Sequence, residues 1–147
     1  RTQLVKTNID TCWDFFSSPN NLSKITPSSM GFVVRTEVPE KMYEGLMIAY
    51  TVKPLAGIPM NWVTEIKTVR DLEFFVDEQR VGPYKIWHHE HHFKAVAGGV
   101  EMTDIVTYVL PLGILGRLVH SFLVRPKLEQ IFAYRFQKSN NNRVFAL

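Results

Sequence analysis

The sequence predicts an α+β domain: a curved, seven-stranded antiparallel sheet wrapped around a long C-terminal helix, with two short helices between strands 1 and 2. Three observations predict it. Six stretches rich in Val, Ile, Thr and aromatic residues follow one another between residues 32 and 110, divided only by short turn-forming segments. Apolar spacing of helical period occurs near the start (Ile9, Cys12, Trp13, Phe16) and near the end (Leu115, Leu118, Val119, Phe122, Leu123). A sheet with one apolar face needs a cover, and the C-terminal helix can supply it.

The elements follow in order. Residues 1–6 form a short strand carrying Leu4 and Val5. Thr7 or Asn8 caps a helix, and Asp10 adds negative charge to its first turn. Ser17-Ser18-Pro19 ends that helix and opens a second, with Ser18 as cap and Pro19 at the first helical position. Thr26-Pro27 stops it. Strands are expected over 32–38, 45–53, 60–69, 72–80, 85–97 and 99–110, joined by short loops as an antiparallel meander. The last helix is expected over 114–136. Pro126 should kink it and free the carbonyl of Phe122.

A chain of 147 residues fits one domain and can bury an ordinary core. The domain is expected over 1–137. The Asn-rich end, 138–147, has no packing pattern and is expected to be disordered. Net charge is +3, from 17 basic and 14 acidic residues with no Lys/Arg block, so no nucleic-acid footprint is present. Cys12 is the single cysteine, which excludes an intramolecular disulfide. With no signal-peptide segment visible, the expected compartment is cytoplasmic. No run of about 20 apolar residues exists, so no stable membrane insertion is expected.

The chemistry concentrates in the hairpin of residues 76–93. Alternate side chains of a strand share a face, so Trp87, His89, His91 and Phe93 form one stripe, half apolar and half hydrogen-bonding. A two-residue turn at Ala97-Gly98 pairs Val96 with Gly99. It places His91 opposite Asp104, His89 opposite Val106 and Trp87 opposite Tyr108. Pairing Gln79 with Trp87 across the Gly82-Pro83 turn puts Asp77 opposite His89. One face then carries Asp77, Gln79, Trp87, His89, His91, Asp104 and Tyr108, and Trp62 joins them from a neighbouring strand with Thr64 and Ile66. These eight residues, Trp62 plus the seven of the hairpin face, are the candidate ligand-binding set. A one-residue slip would turn a strand's set to the other face. The opposite face, with Ile86, His88, Glu90 and His92, is the wetter one.

Apolar walls would hold a ligand and the few polar groups would orient it. Asp77 with His89, and Asp104 with His91, either satisfy one another inside a partly polar cavity or act as acid and base beside a carbonyl. No nucleophile elbow or phosphate loop accompanies them. His89, His91 and Asp104 could reach one zinc ion, but the spacing lacks the helical His-Glu-x-x-His logic. An imidazole-rich strand with neither metal nor cofactor is the expectation. Cys12, Trp13 and Phe16 are expected to be helix-to-sheet core.

Several segments carry a resemblance: Cys12-Trp13-Asp14-Phe15-Phe16, Leu22-Ser23-Lys24-Ile25-Thr26-Pro27, Ile58-Pro59-Met60-Asn61-Trp62-Val63-Thr64-Glu65-Ile66, the hairpin of residues 77–93, and Ile131-Phe132-Ala133-Tyr134-Arg135. With the element order, they make nearly the whole chain resemble the START-like (SRPBCC) superfamily of helix-grip fold. That superfamily includes the birch-pollen allergen, lipid-transfer START domains and polyketide cyclases. The nearer likeness is to its bacterial branch of unassigned ligand-binding proteins. The resemblance implies a hydrophobic cavity between sheet and long helix that holds a small apolar or amphipathic molecule, for transport or sensing. A cyclase, dehydratase or isomerase using an Asp/His pair is the alternative. A second alternative is a protein- or membrane-surface interaction module acting through Arg117, Arg125 and Lys127.

Overall fold

The computed structural model describes residues 1–53, 57–111 and 124–139. Its strands are β1 (Thr2–Val5), β2 (Val33–Val34), β3 (Met47–Val52), β4 (Met60–Arg70), β5 (Phe74–Val81), β6 (Ile86–Val96) and β7 (Gly99–Val109). Its helices are α1 (Ile9–Phe16) and α2 (Arg125–Ser139). The strands make one antiparallel sheet of order β1-β7-β6-β5-β4-β3-β2. This is the expected meander, with β1 returning to close against β7.

Local chemistry explains the elements. Asn8 caps α1, its Oδ1 accepting from the backbone N–H of Thr11 at 2.8 Å. Cys12, Trp13, Phe15 and Phe16 of α1 are buried. The second expected helix is a 3₁₀ segment, Pro19–Ile25, followed by another at Ser28–Met30. Proline at its start and Thr26-Pro27 at its end leave too short a span for an α-helix to propagate.

Two strands differ from expectation. β2 is two residues long rather than seven. It is the sheet edge, with exposed Val33 and Arg35 and only β3 to pair with, so little burial rewards a longer strand. β5 begins at Phe74 because Leu72 adopts φ 63° in the preceding turn. β4 is irregular against β5 between Val63 and Thr64 and between Ile66 and Thr68. Such bulges bend a strand and increase its twist.

The β6–β7 register is the one the Ala97-Gly98 turn implies: Trp87 faces Tyr108, His89 faces Val106, and His91 faces Asp104. Asp77 lies opposite His89 between β5 and β6. The turn ends at Gly99, whose φ of 152° brings a hypothetical Cβ to 2.2 Å from the carbonyl oxygen of Val5. Gly99→Ala should therefore part β1 from β7 and cost about 1–3 kcal/mol in urea unfolding. Gly98→Ala, at φ 87° with open space around it, should cost less.

The core is off-centre, and this positions the site. Trp13 packs edge-on against Phe93 at 5.4 Å and Phe75 at 6.0 Å. Val5, Cys12, Phe15, Phe16, Ile25, Val100 and Met102 complete that cluster. α1 thus fills one end of the concave sheet, and α2 covers the other. The stretch 114–123 of the expected cover helix, Arg117, the Phe122 carbonyl that a kink at Pro126 would free, and residues 54–56 and 140–147 lie outside the described residues. α2 continues to Ser139, so Lys138 and Ser139 are helical rather than part of the tail. No helix among the described residues is long and apolar enough to cross a membrane.

Candidate functional site

A cavity of about 320 Å³ lies between the sheet and α2, with the Pro19–Ile25 segment at one end. Ile48, Tyr50, Trp62, Thr64, Phe75 and Trp87 line it from the strands, and Leu128, Ile131, Phe132 and Arg135 from α2. The volume lies at the lower end of the range for small-molecule sites.

The aromatic wall follows from register. Tyr50 is the cross-strand partner of Trp62, and their rings stack at 6.0 Å. Trp62 meets Trp87 edge-on at 5.4 Å. Thr64, two residues along the same face, satisfies both: Trp62 Nε1 donates to its Oγ1 at 3.0 Å, and the Tyr50 hydroxyl lies 2.9 Å from the same oxygen. Burial pushes the Tyr50 hydroxyl's pKa up, so it stays a neutral hydrogen-bonding group.

Beside this wall sits a compact Asp/His cluster. His89 is 3% exposed, His91 6% and Asp104 8%. His89 Nε2 lies 3.1 Å from Asp104 Oδ1, and His91 Nε2 lies 2.8 Å from Asp77 Oδ2. These bonds run diagonally across the strands. The pairs directly opposite are a longer contact, His89 Nδ1 to Asp77 Oδ2 at 3.5 Å, and one not aligned for hydrogen bonding, His91 Nδ1 to Asp104 Oδ1 at 3.0 Å. Each imidazole thus stands between the same two carboxylates, and the two rings lie 3.7 Å apart.

Electrostatics separates the two histidines. Burial, reinforced by the neighbouring His91, lowers the pKa of His89 to about 4 despite both carboxylates, so it is neutral near pH 7. Burial also opposes a charge on His91, but the carboxylates of Asp104 and Asp77 beside its two ring nitrogens outweigh it and raise its pKa. Asp77 and Asp104 suffer the same desolvation, yet their histidine partners hold both below the usual carboxylate range. The charge of Arg135, on α2, also favours ionised Asp77.

Of the expected residues, Trp62, Asp77, Trp87, His89 and His91 line the cavity together. Asp104, Gln79 and Tyr108 are not lining residues. Asp104 holds the histidines, while Tyr108 packs on Trp87 at 6.1 Å and on Tyr84 at 5.7 Å. Gln79 belongs to the hairpin turn: its Nε2 donates to the Tyr84 carbonyl at 2.6 Å and its Oε1 accepts from the Tyr84 N–H at 3.2 Å. On the other face, half-buried His88 and His92 meet Glu78 and Glu90, each at 2.9 Å. Tyr50 and Arg135 were absent from the expected set. The alternation Ile48, Tyr50, Val52 marks Tyr50's face in the sequence, but nothing local announces Arg135.

Neither a protein-family model nor a curated protein matches the sequence. Solved structures do match by fold. Protein TTHA0849 from Thermus thermophilus aligns with a TM-score of 0.73 at 16% identity, over 99% of this chain and 95% of its own. Protein Ms6760 from Mycobacterium smegmatis gives 0.70 at 15%, over 99% and 90%. The di-domain ARO/CYC StfQ of the steffimycin biosynthetic pathway gives 0.66 at 11%, covering 97% of this chain and 50% of that protein. At these identities the likeness is one of fold: the chain is built as a seven-stranded α+β sheet gripping its C-terminal helix.

Proposed function

We propose that this protein is a START-like binding domain that holds a small hydrophobic or amphipathic molecule in the cavity, for transport or sensing. One observation carries the reading: a space of about 320 Å³ between sheet and α2, walled by aromatic and aliphatic side chains and interrupted by only a few polar groups. Burying about 200 Å² of apolar guest surface would gain about 5 kcal/mol before ordering costs. Thr64, Asp77, the two histidines and Arg135 would orient a polar end of the guest.

A second reading is favoured by two histidines side by side on the cavity wall with opposite shifts, His89 lowered to about 4 and His91 raised. A neutral imidazole can take a proton and a charged one can give it, as a cyclase- or isomerase-type reaction requires. The binding reading precedes it, because every such reaction needs the guest held first.

The test uses N-phenyl-1-naphthylamine, an apolar dye whose emission rises on leaving water. Delipidated protein should bind it saturably at one site, with energy transfer from Trp62 and Trp87. Ile131→Trp, which fills the cavity from α2, should weaken binding at least tenfold while unfolding cooperatively like the parent. Non-saturable binding, or equal affinity in the filled variant, would remove the proposal.

A further inference from the structure

We propose that Asp77, His89 and His91 form a binding site for one divalent transition-metal cation of the zinc type, oriented by Asp104 and open toward the cavity. This reverses the expectation from sequence, in which no metal was foreseen and the ligand considered beside the histidines was Asp104. It does not depend on what guest the cavity holds.

The geometry carries it. Asp77 on β5 and His89 and His91 on β6 offer ligand atoms that all lie within 4.8 Å of one another. Asp77 Oδ2 is 3.5 Å from His89 Nδ1 and 2.8 Å from His91 Nε2. Ligands of a tetrahedral zinc ion stand about 3.3 Å apart, given bonds of about 2.0–2.1 Å. Small side-chain shifts would suffice to admit the ion.

The remaining ring nitrogens both lie beside one oxygen of Asp104. His89 Nε2 hydrogen-bonds Asp104 Oδ1 at 3.1 Å, and His91 Nδ1 lies 3.0 Å from the same oxygen without the alignment of a hydrogen bond. A carboxylate oxygen accepts, so this bond favours the His89 tautomer protonated at Nε2. That tautomer leaves the lone pair of His89 Nδ1 on the side of Asp77, whereas at His91 Nε2 an ion would replace the proton that bonds Asp77 at 2.8 Å. An imidazole lone pair facing a carboxylate oxygen is repulsive unless a proton or a cation lies between them. Between His89 Nδ1 and Asp77, separated by 3.5 Å, the tautomer protonated at Nε2 places none. A carboxylate behind each ligating imidazole is the support that fixes ring orientation and tautomer in metal sites.

Ring packing reinforces the arrangement. Phe75 stacks on His91 at 4.1 Å, and Phe132 meets the edge of His89 at 5.6 Å. Two imidazoles and one carboxylate leave coordination positions unfilled. All three ligands line the cavity, so those positions face a guest or water. Two carboxylates balance the dication, with Arg135 the cation acting on Asp77 from α2.

The test uses the full chain, untagged and stripped with chelator, titrated with Co²⁺ and then with Zn²⁺. Cobalt should bind at one equivalent with the intense visible bands of a four- or five-coordinate ion, and zinc should displace it. Asp104→Asn should keep the spectrum and weaken affinity about 10–100-fold. The double variant His88→Ala/His92→Ala, altered on the opposite face, should bind like the parent. Should an Asp104 variant fail to fold, X-ray absorption of the zinc-loaded parent decides alone, through two imidazole scattering paths. No cobalt band up to millimolar metal, an all-oxygen shell, or loss of binding in the His88/His92 variant would overturn the proposal. None of these readouts involves the dye, so failure here leaves the cavity reading standing.

Discussion

Replacing Asp104 by Ala should cost the metal-free protein about 3–5 kcal/mol at neutral pH, the usual loss when one partner of a buried charge pair is removed. Asp104 contacts both imidazoles through Oδ1 and is itself 8% exposed. Its removal leaves His89 Nε2 without its acceptor and His91 with Asp77 as its remaining carboxylate in the cluster. Water cannot readily compensate, since the two histidines are 3% and 6% exposed. Asp104→Asn should cost less, because an amide oxygen can still accept from His89 Nε2. Urea unfolding at pH 7 in chelator measures both variants. A double-mutant cycle with His91→Gln should return a coupling above about 1 kcal/mol. A loss below about 1 kcal/mol for Asp104→Ala would show that the cluster is not the charged network described here.

Much of this cluster was legible in the sequence, and the part that was not has a physical reason. The Ala97-Gly98 turn has two residues, and a two-residue hairpin permits one register. It follows that His91 opposite Asp104 and Trp87 opposite Tyr108 could be read off without coordinates. Pair register, however, specifies Cα partners and not side-chain direction. The imidazoles lean along the strand and form their aligned bonds with the diagonal carboxylates, so bonding is shared among four groups rather than confined to two pairs. Gln79 was assigned correctly to its strand and wrongly to the cavity. The Gly82-Pro83 turn leaves the Tyr84 backbone to be satisfied, and the Gln79 amide meets it. A turn's unsatisfied groups cannot be counted from alternation alone. Arg135 reaches the site from a helix far along the chain, and helical period says which face is apolar, not what that face will oppose. β2 was overestimated because β-propensity ignores that an edge strand gains burial from only one neighbour.

The metal-free protein should be most stable near pH 6.5 and should lose about 3 kcal/mol between there and pH 4 through His89 alone. An unfolded histidine takes up its proton near pH 6.5, whereas folded His89 remains neutral down to about 4. Throughout that window the unfolded chain binds one proton more, so stability falls as pH falls, at about 1.4 kcal/mol per unit. His91 has the opposite sign. Its folded pKa is raised, so its contribution is complete below pH 6.5 and is lost as pH rises through the folded value. The two histidines therefore erode stability on opposite sides of neutrality. Asp77 and Asp104, held below the usual carboxylate range, add a further loss once the unfolded carboxylates begin to protonate near pH 4. Urea midpoints measured in chelator from pH 4 to 8 should trace this dome. His89→Gln keeps an N–H for Asp104 but cannot titrate, so it should flatten the acid arm and leave the alkaline arm in place. If the acid arm survives unchanged in His89→Gln, the proton that destabilises the fold enters elsewhere and the assignment of His89 as the buried neutral imidazole is wrong.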